Sequence, residues 1–286
     1  MKKPLFLFLL ILTIIVVIMT FQKNKRILPP FYNMSDAVNA VKMLPDYRAF
    51  THHKEGILPI HLTSTGGKDA PNILFIHGSP GSWEGWSEYL HDDVLRDKYF
   101  MVAVDRPGYG GSDDGISGAT LNDQANAIAS AIQNSFPSKK KWLVVGHSYG
   151  GPVALRLAVD YPEIVSSILL LAPAISPDLV RVRWYNKIAS MPLVRNLISI
   201  PLKRSNDEMY LLPSELADLK PDLHMIKKDI KIIQGENDGI VQPKNIDYAR
   251  EVLVNSAIDI TIIENRGHFL PWEEYDRIKN YLMEAL

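Results

Sequence analysis

Cysteine is missing altogether from the 286 residues. That excludes disulfides, a thiolate nucleophile, a cysteine-ligated zinc site and a thioether-linked lipid. It leaves the compartment open, because an exported protein need not carry disulfides. An excess of charge of either sign is missing as well: Lys and Arg number 31, Asp and Glu 32, for a formal net charge of −1. No global field therefore draws the chain to nucleic acid. The short basic run Lys139–Lys141 reads as a solvated loop before a strand. No internal repeat or low-complexity tract interrupts the chain. What remains, 47% hydrophobic and 22% charged residues, is the balance of an ordinary globular protein.

The first long feature present is an uncharged run, Pro4–Phe21, of 18 residues. As a helix it would span roughly 27 Å, near the thickness of a bilayer core. The apolar part of a cleaved signal peptide is shorter and ends at small residues, and "IMTFQKNKR" offers no such site. Residues 1–26 are therefore expected to be an uncleaved membrane anchor with basic flanks. Lys2 and Lys3 before the run nearly balance Lys23, Lys25 and Arg26 after it, so charge barely sets the orientation. A short basic tail ahead of a long domain favours export of the domain. Ser35 or Asp36 would then cap a short amphipathic helix.

Residues 27–286 alternate between two patterns. Apolar runs of strand length lie at Ile73–Ile76, Met101–Val104, Trp142–Val145, Ile168–Leu171, Ile230–Ile233 and Ile258–Ile263, the last two broken only by Lys231 and by Asp259 and Thr261. Runs without polar alternation belong to strands buried on both faces of a parallel sheet. Helical-period segments fall between them, near Ser82–Leu95, Leu121–Asn134, Gly150–Val159, Pro243–Val254 and Trp272–Leu286. Phe50–Thr65 supplies a leading hairpin. The expectation is an α/β fold with a doubly wound, mostly parallel sheet. One interval, about 176–226, has no strand run. It reads as short helices interrupted by Pro192, Pro201, Pro213 and Pro221, too long for a loop, and is expected to be a small helical cap over the sheet's C-terminal edge. Its apolar residues Trp184, Tyr185, Met191, Leu197, Ile198, Met209 and Tyr210 would pack internally or line an acyl pocket.

"GHSYG", Gly146–Gly150, places Ser148 between a strand and a helix in a G-x-S-x-G pattern. A serine hydroxyl needs a base and an orienting carboxylate to become a nucleophile. His268, after the last strand run, is the candidate base. Glu236 and Asp238 compete for the acid; Asp238 is preferred because it lies farther past its strand and precedes the turn residue Gly239. The oxyanion of an acyl transfer needs backbone donors, and the N–H groups of Tyr149 and Ser79 are the candidates. His77, in the same loop as Ser79, is taken as structural.

These motifs, "HGSPGS", "DRPGYGGSD", "GHSYGG", "GENDGIV" and "GHFLPWE", together resemble the α/β-hydrolase fold superfamily over about residues 50–286, in particular its capped serine esterase-like branch. In "DRPGYGGSD" the resemblance implies a structural turn for Asp105, Gly108, Gly110 and Ser112. H-G-x-P loops are common in epoxide hydrolases and haloalkane dehalogenases, but those use an aspartate where this chain has Ser148. The resemblance implies a serine hydrolase acting on a small-molecule carboxylic ester, with no cofactor and no metal. A proline iminopeptidase, amidase or carbon–carbon bond hydrolase would share the machinery. A catalytically silent binding protein and a membrane-tethered scaffold are the readings from other classes. Oligomeric state is not legible.

Overall fold

Eight strands hydrogen-bond into one sheet in the computed structural model, which describes residues 34–113, 118–137 and 140–285. They are β1 Arg48–Lys54, β2 Ile57–Thr65, β3 Asn72–Ile76, β4 Phe100–Asp105, β5 Trp142–His147, β6 Val165–Leu171, β7 Asp229–Gly235 and β8 Ile258–Ile263. Their spatial order is β1-β2-β4-β3-β5-β6-β7-β8. The hairpin β1–β2 and the β2–β4 pair are antiparallel; every other pair is parallel. All carboxyl ends from β4 to β8 therefore face the same edge, where the connecting loops can converge.

Period-2 geometry sends successive side chains to opposite faces. Leu74 and Ile76 of β3 enter one core, and Ile73 and Phe75 the other. The first face is covered by helices α2 Leu121–Ser135 and α3 Gly150–Asp160, and by part of α7 Asn245–Val252. The second is covered by α1 Met34–Lys42, by the aromatic group Trp83, Trp86 and Tyr89, and by α8 Tyr275–Glu284. Helix α2 begins at a capping box, Thr120 with Asp123, which satisfies two of its free N-terminal donors. The run Ile258–Ile263 departs from the expected burial. As β8 it is the last strand of the sheet; Asp259 and Thr261 interrupt its isoleucines, and Asp259 and Ile262 are exposed.

Three α-helices and one 3-10 turn, Lys220–Met225, fill the interval between β6 and β7; the α-helices are α4 Trp184–Ala189, α5 Pro192–Arg195 and α6 Ile200–Leu219. The prolines do not all interrupt. Pro192 and Pro201 sit in the first turns of α5 and α6, where a missing N–H costs nothing, and Pro213 lies inside α6. The second half of α6 is not a lid: Leu212, Leu216 and Leu219 are buried in the same core as α2 and α3. The first turns of α6, with α4 and α5, contribute no residue to it. The expected membrane helix, residues 1–26, lies outside the described residues. Among the described residues no helix is long and apolar enough to cross a membrane.

Leu212→Ala should therefore cost about 2–5 kcal/mol of stability, and Leu197→Ala, on the exposed part of the same insertion, less than about 0.5 kcal/mol. Urea unfolding of the two variants measures both; equal costs would contradict this division of the insertion.

Candidate active site

Strand β5 ends at His147, and α3 begins at Gly150, with two residues between them. Ser148 makes the turn between them with φ 53°, a left-handed conformation that L-residues avoid. The turn is held from several sides. Ser148 N–H donates to Leu171 O (2.9 Å), and Ser148 O accepts from Gly151 N–H (3.0 Å) and Ala174 N–H (3.2 Å). Two glycines make room for it. A Cβ on Gly146 would lie 2.5 Å from Gly150 O, and one on Gly150 would lie 2.3 Å from Ile76 O. No side chain fits at either place.

The turn aims Ser148 at the loops after β7 and β8. His268 Nε2 lies 2.9 Å from Ser148 Oγ, and its Nδ1 lies 2.8 Å from Asp238 Oδ2. The carboxylate oxygen accepts, so Nδ1 carries the proton and Nε2 accepts from the serine hydroxyl. Asp238 is locked in turn: Oδ1 accepts from the N–H groups of Ile240 (2.9 Å) and Val241 (2.8 Å), and Oδ2 also accepts from Gln234 Nε2 (3.0 Å). The other candidate acid, Glu236, is exposed and accepts from Asn265 N–H. Ser148, Asp238 and His268 are all buried or nearly so.

The loop after β3 passes close beside the serine. A Cβ on Gly78 would lie 3.1 Å from Ser148 Cβ. The next N–H is that of Ser79. Among the described residues, neither this N–H nor that of Tyr149 has an acceptor. Both are thus available to a ligand atom at Ser148.

Several further groups hold this arrangement, and of these His147, Arg106, Gln124 and Glu208 were not singled out by the sequence patterns. His147 Nε2 donates to His268 O (3.0 Å), tying the strand end to the base. Arg106 is fully buried. It donates to His77 O (3.0 Å) and Gly78 O (2.9 Å), to Gln124 Oε1 (2.8 Å) and to both oxygens of Glu208 on α6 (2.5 and 3.2 Å). Its guanidinium also lies over the Tyr149 ring, 4.4 Å from the centroid. Tyr109 O–H donates to Glu208 as well, at 2.7 Å. The insertion is thereby fastened to the Ser79 loop through one buried cation. Asp105 accepts from Trp83 N–H (2.6 Å) and Gly111 N–H (2.8 Å), while Ser112 Oγ donates to its carbonyl, so this segment forms a turn under that loop. An open depression of about 610 Å³, lined by Gly118, Ser190, Arg195, Asp207, Tyr210 and Leu211, touches none of the three bonded residues. Of the apolar residues of the insertion, Trp184, Tyr185, Met191, Leu197 and Tyr210 are exposed, so they do not pack internally as expected.

Two buried histidines stay neutral. Burial, reinforced by the neighbouring His268, pushes His147 down to about 3. Burial and the Arg106 cation hold His77 well below the usual range. His77 Nε2 accepts from Arg106 N–H (2.9 Å), so its Nδ1 is the donor toward Gly78 O, at 2.7 Å. A base whose pKa is lowered by folding refuses a proton that the unfolded chain accepts. Its contribution is complete above the unfolded value of 6.5 and is lost as pH falls toward 3.

Residues 71–211 match the family described as the alpha/beta hydrolase fold. Among curated proteins the chain is 40% identical over 188 residues to the dihydrolipoyllysine-residue acetyltransferase component of the acetoin cleaving system of Cupriavidus necator. That match covers 65% of this chain and 43% of the relative, so the chain spans less than half the length of that protein. It is 24% identical over 258 residues to the pimeloyl-[acyl-carrier protein] methyl ester esterase of Nitrosomonas europaea, covering 75% of this chain and 95% of the other. Among solved structures it is similar to a membrane phospholipase A described as a bacterial virulence factor, with TM-score 0.62, 21% identity and 99% of each chain covered.

His147→Gln keeps a donor toward His268 O but removes the titrating ring. It should flatten the fall of unfolding free energy between about pH 6 and pH 4 by about 1.4 kcal/mol per pH unit. Denaturant titrations across that range measure the slope; an unchanged slope would contradict a neutral His147.

Proposed function

From the premise that the chain belongs to the α/β-hydrolase fold superfamily, we propose that it is a serine hydrolase cleaving a carboxylic ester through an acyl-enzyme. One observation carries the reading: His268 bridges Ser148 and Asp238 at 2.9 and 2.8 Å. Ser148 Oγ attacks the ester carbonyl while His268 Nε2 takes the hydroxyl proton. Asp238 keeps Nδ1 protonated and faces the imidazolium that forms. The N–H groups of Ser79 and Tyr149 receive the oxyanion. The intermediate collapses, the C–O bond to the leaving alcohol breaks, and His268 returns the proton to that oxygen. Water then attacks the acyl-enzyme with His268 again as base, freeing the acid and restoring Ser148. No cofactor or metal enters this sequence.

The substrate is a small-molecule ester, with only a weak preference for a lipophilic one. We place the domain on the exported side of a membrane, held by residues 1–26 as an anchor. A silent binding module is the less favoured reading, because a retired site has no need of a fully bonded Ser148–His268–Asp238 set.

The test uses p-nitrophenyl esters of increasing acyl length, with proline p-nitroanilide alongside. Ester turnover should fall on the order of 10³–10⁴-fold or more in Ser148→Ala and Asp238→Asn. Turnover of the anilide alone would replace the ester reading by a peptidase one. No turnover of either by folded protein would replace it by the binding module.

A further inference from the structure

Half of the exposed large apolar side chains of the described chain fall within residues 184–202, which are less than a tenth of it. Trp184 and Leu193 are each 68% exposed and Leu197 79%, with Ile188, Met191 and Leu202 beside them in the sequence. This is not a scatter of single residues, which every surface carries. The burial is inverted. Between 184 and 202 the one buried residue is Asn186, whose Nδ2 donates to Asn206 Oδ1 of α6 at 3.0 Å; Asn206 Nδ2 donates in turn to Ser190 Oγ at 2.9 Å. Helix α4 and the start of α6 therefore turn amides inward and hydrocarbon outward. That is stable when the outer medium is itself apolar.

The charge of the same segment is one-sided. From Leu179 to Asn206 the chain holds six cations and no Asp or Glu. Arg195 and Arg204 are paired with Asp207 and Asp113. Arg181, Arg183, Lys187 and Lys203 have no ion-pair partner among the described residues. Apolar residues with Trp and Tyr, interspersed in the sequence with cations that have no ion pair among the described residues, match the boundary between acyl chains and anionic headgroups. A second copy fits less well, because a two-fold contact would bring the same four cations together.

We propose that the face formed by α4, α5 and the first turn of α6 docks on the surface of an anionic lipid bilayer, with Trp184, Leu193 and Leu197 reaching the acyl boundary and the four cations meeting headgroup phosphates. This is a contact of the folded domain, separate from any anchor in residues 1–26, and it does not depend on the ester reading.

The full-length protein is mixed with phosphatidylglycerol or phosphatidylcholine vesicles containing brominated acyl chains, and tryptophan emission is recorded. Subtracting Trp184→Phe isolates the Trp184 signal. That signal should fall about two-fold in phosphatidylglycerol and recover in 1 M salt, where the screening length is about 3 Å. Leu193→Glu with Leu197→Glu should abolish the quenching even when the protein still co-floats with the vesicles, which separates this surface from an N-terminal anchor. Both positions are exposed, so the fold is retained. Ser148→Ala should leave the quenching unchanged. An unquenched Trp184 in both lipids would overturn the proposal. So would quenching that is equal in phosphatidylcholine and indifferent to salt, or a lipid-independent emission shift that grows with protein concentration, the mark of a second copy on this face.

Discussion

Everything at the candidate site hangs on one backbone conformation, the left-handed turn at Ser148. A non-glycine residue held there stores on the order of 1–3 kcal/mol, so the surroundings must over-determine it. They do so through the sheet. Leu171 of β6 accepts the serine N–H on one side, and Ile76 of β3 comes so near Gly150 on the other that only hydrogen fits. The parallel arrangement of β3, β5 and β6 is thus a requirement of the turn as well as a frame for it. Ser148 gains a side chain lifted clear of the strand and free to meet a base from elsewhere in the chain.

The candidate base His268 and acid Asp238 arrive on loops, and loops need fixing. Asp238 is fixed by four donors, two of them backbone N–H groups of its own turn. His268 is fixed at both ring nitrogens and, through its carbonyl, by His147. The Ser79 loop is fixed by Arg106, which takes two of its carbonyls while Glu208 of α6 neutralises the guanidinium. A buried ion pair of this kind adds little to net stability, but losing one partner strands a charge. The insertion and the loop that carries Ser79 are therefore linked through Arg106.

Much of this was legible in the order of residues, and the rest had physical reasons to be hidden. Strands β3 to β7 announce themselves because burial on both faces demands unbroken apolar runs. Ile258–Ile263 is different: Asp259 and Thr261 interrupt its isoleucines, and that alternation belongs to a strand with one exposed face, as β8 has at the edge of the sheet. Gly146, Ser148 and Gly150 are readable together because steric need fixes all three. Arg106 and Glu208, 102 residues apart, make a contact that no local pattern encodes. His147 stood inside the motif itself, but its partner is a carbonyl, and carbonyls leave no trace in sequence. The prolines of the insertion misled for a similar reason: proline punctuates a helix at its start as readily as at its end.

The most direct test of the serine mechanism is chemical. A fluorophosphonate reacts only with a serine whose proton is being removed and whose oxyanion is stabilised. Intact mass followed by peptide mapping after such treatment should show one adduct per chain, on Ser148, formed rapidly in the folded protein and lost on prior unfolding or on substitution of His268 by alanine. A folded protein that stays unlabelled, or is labelled at another serine, would contradict the account.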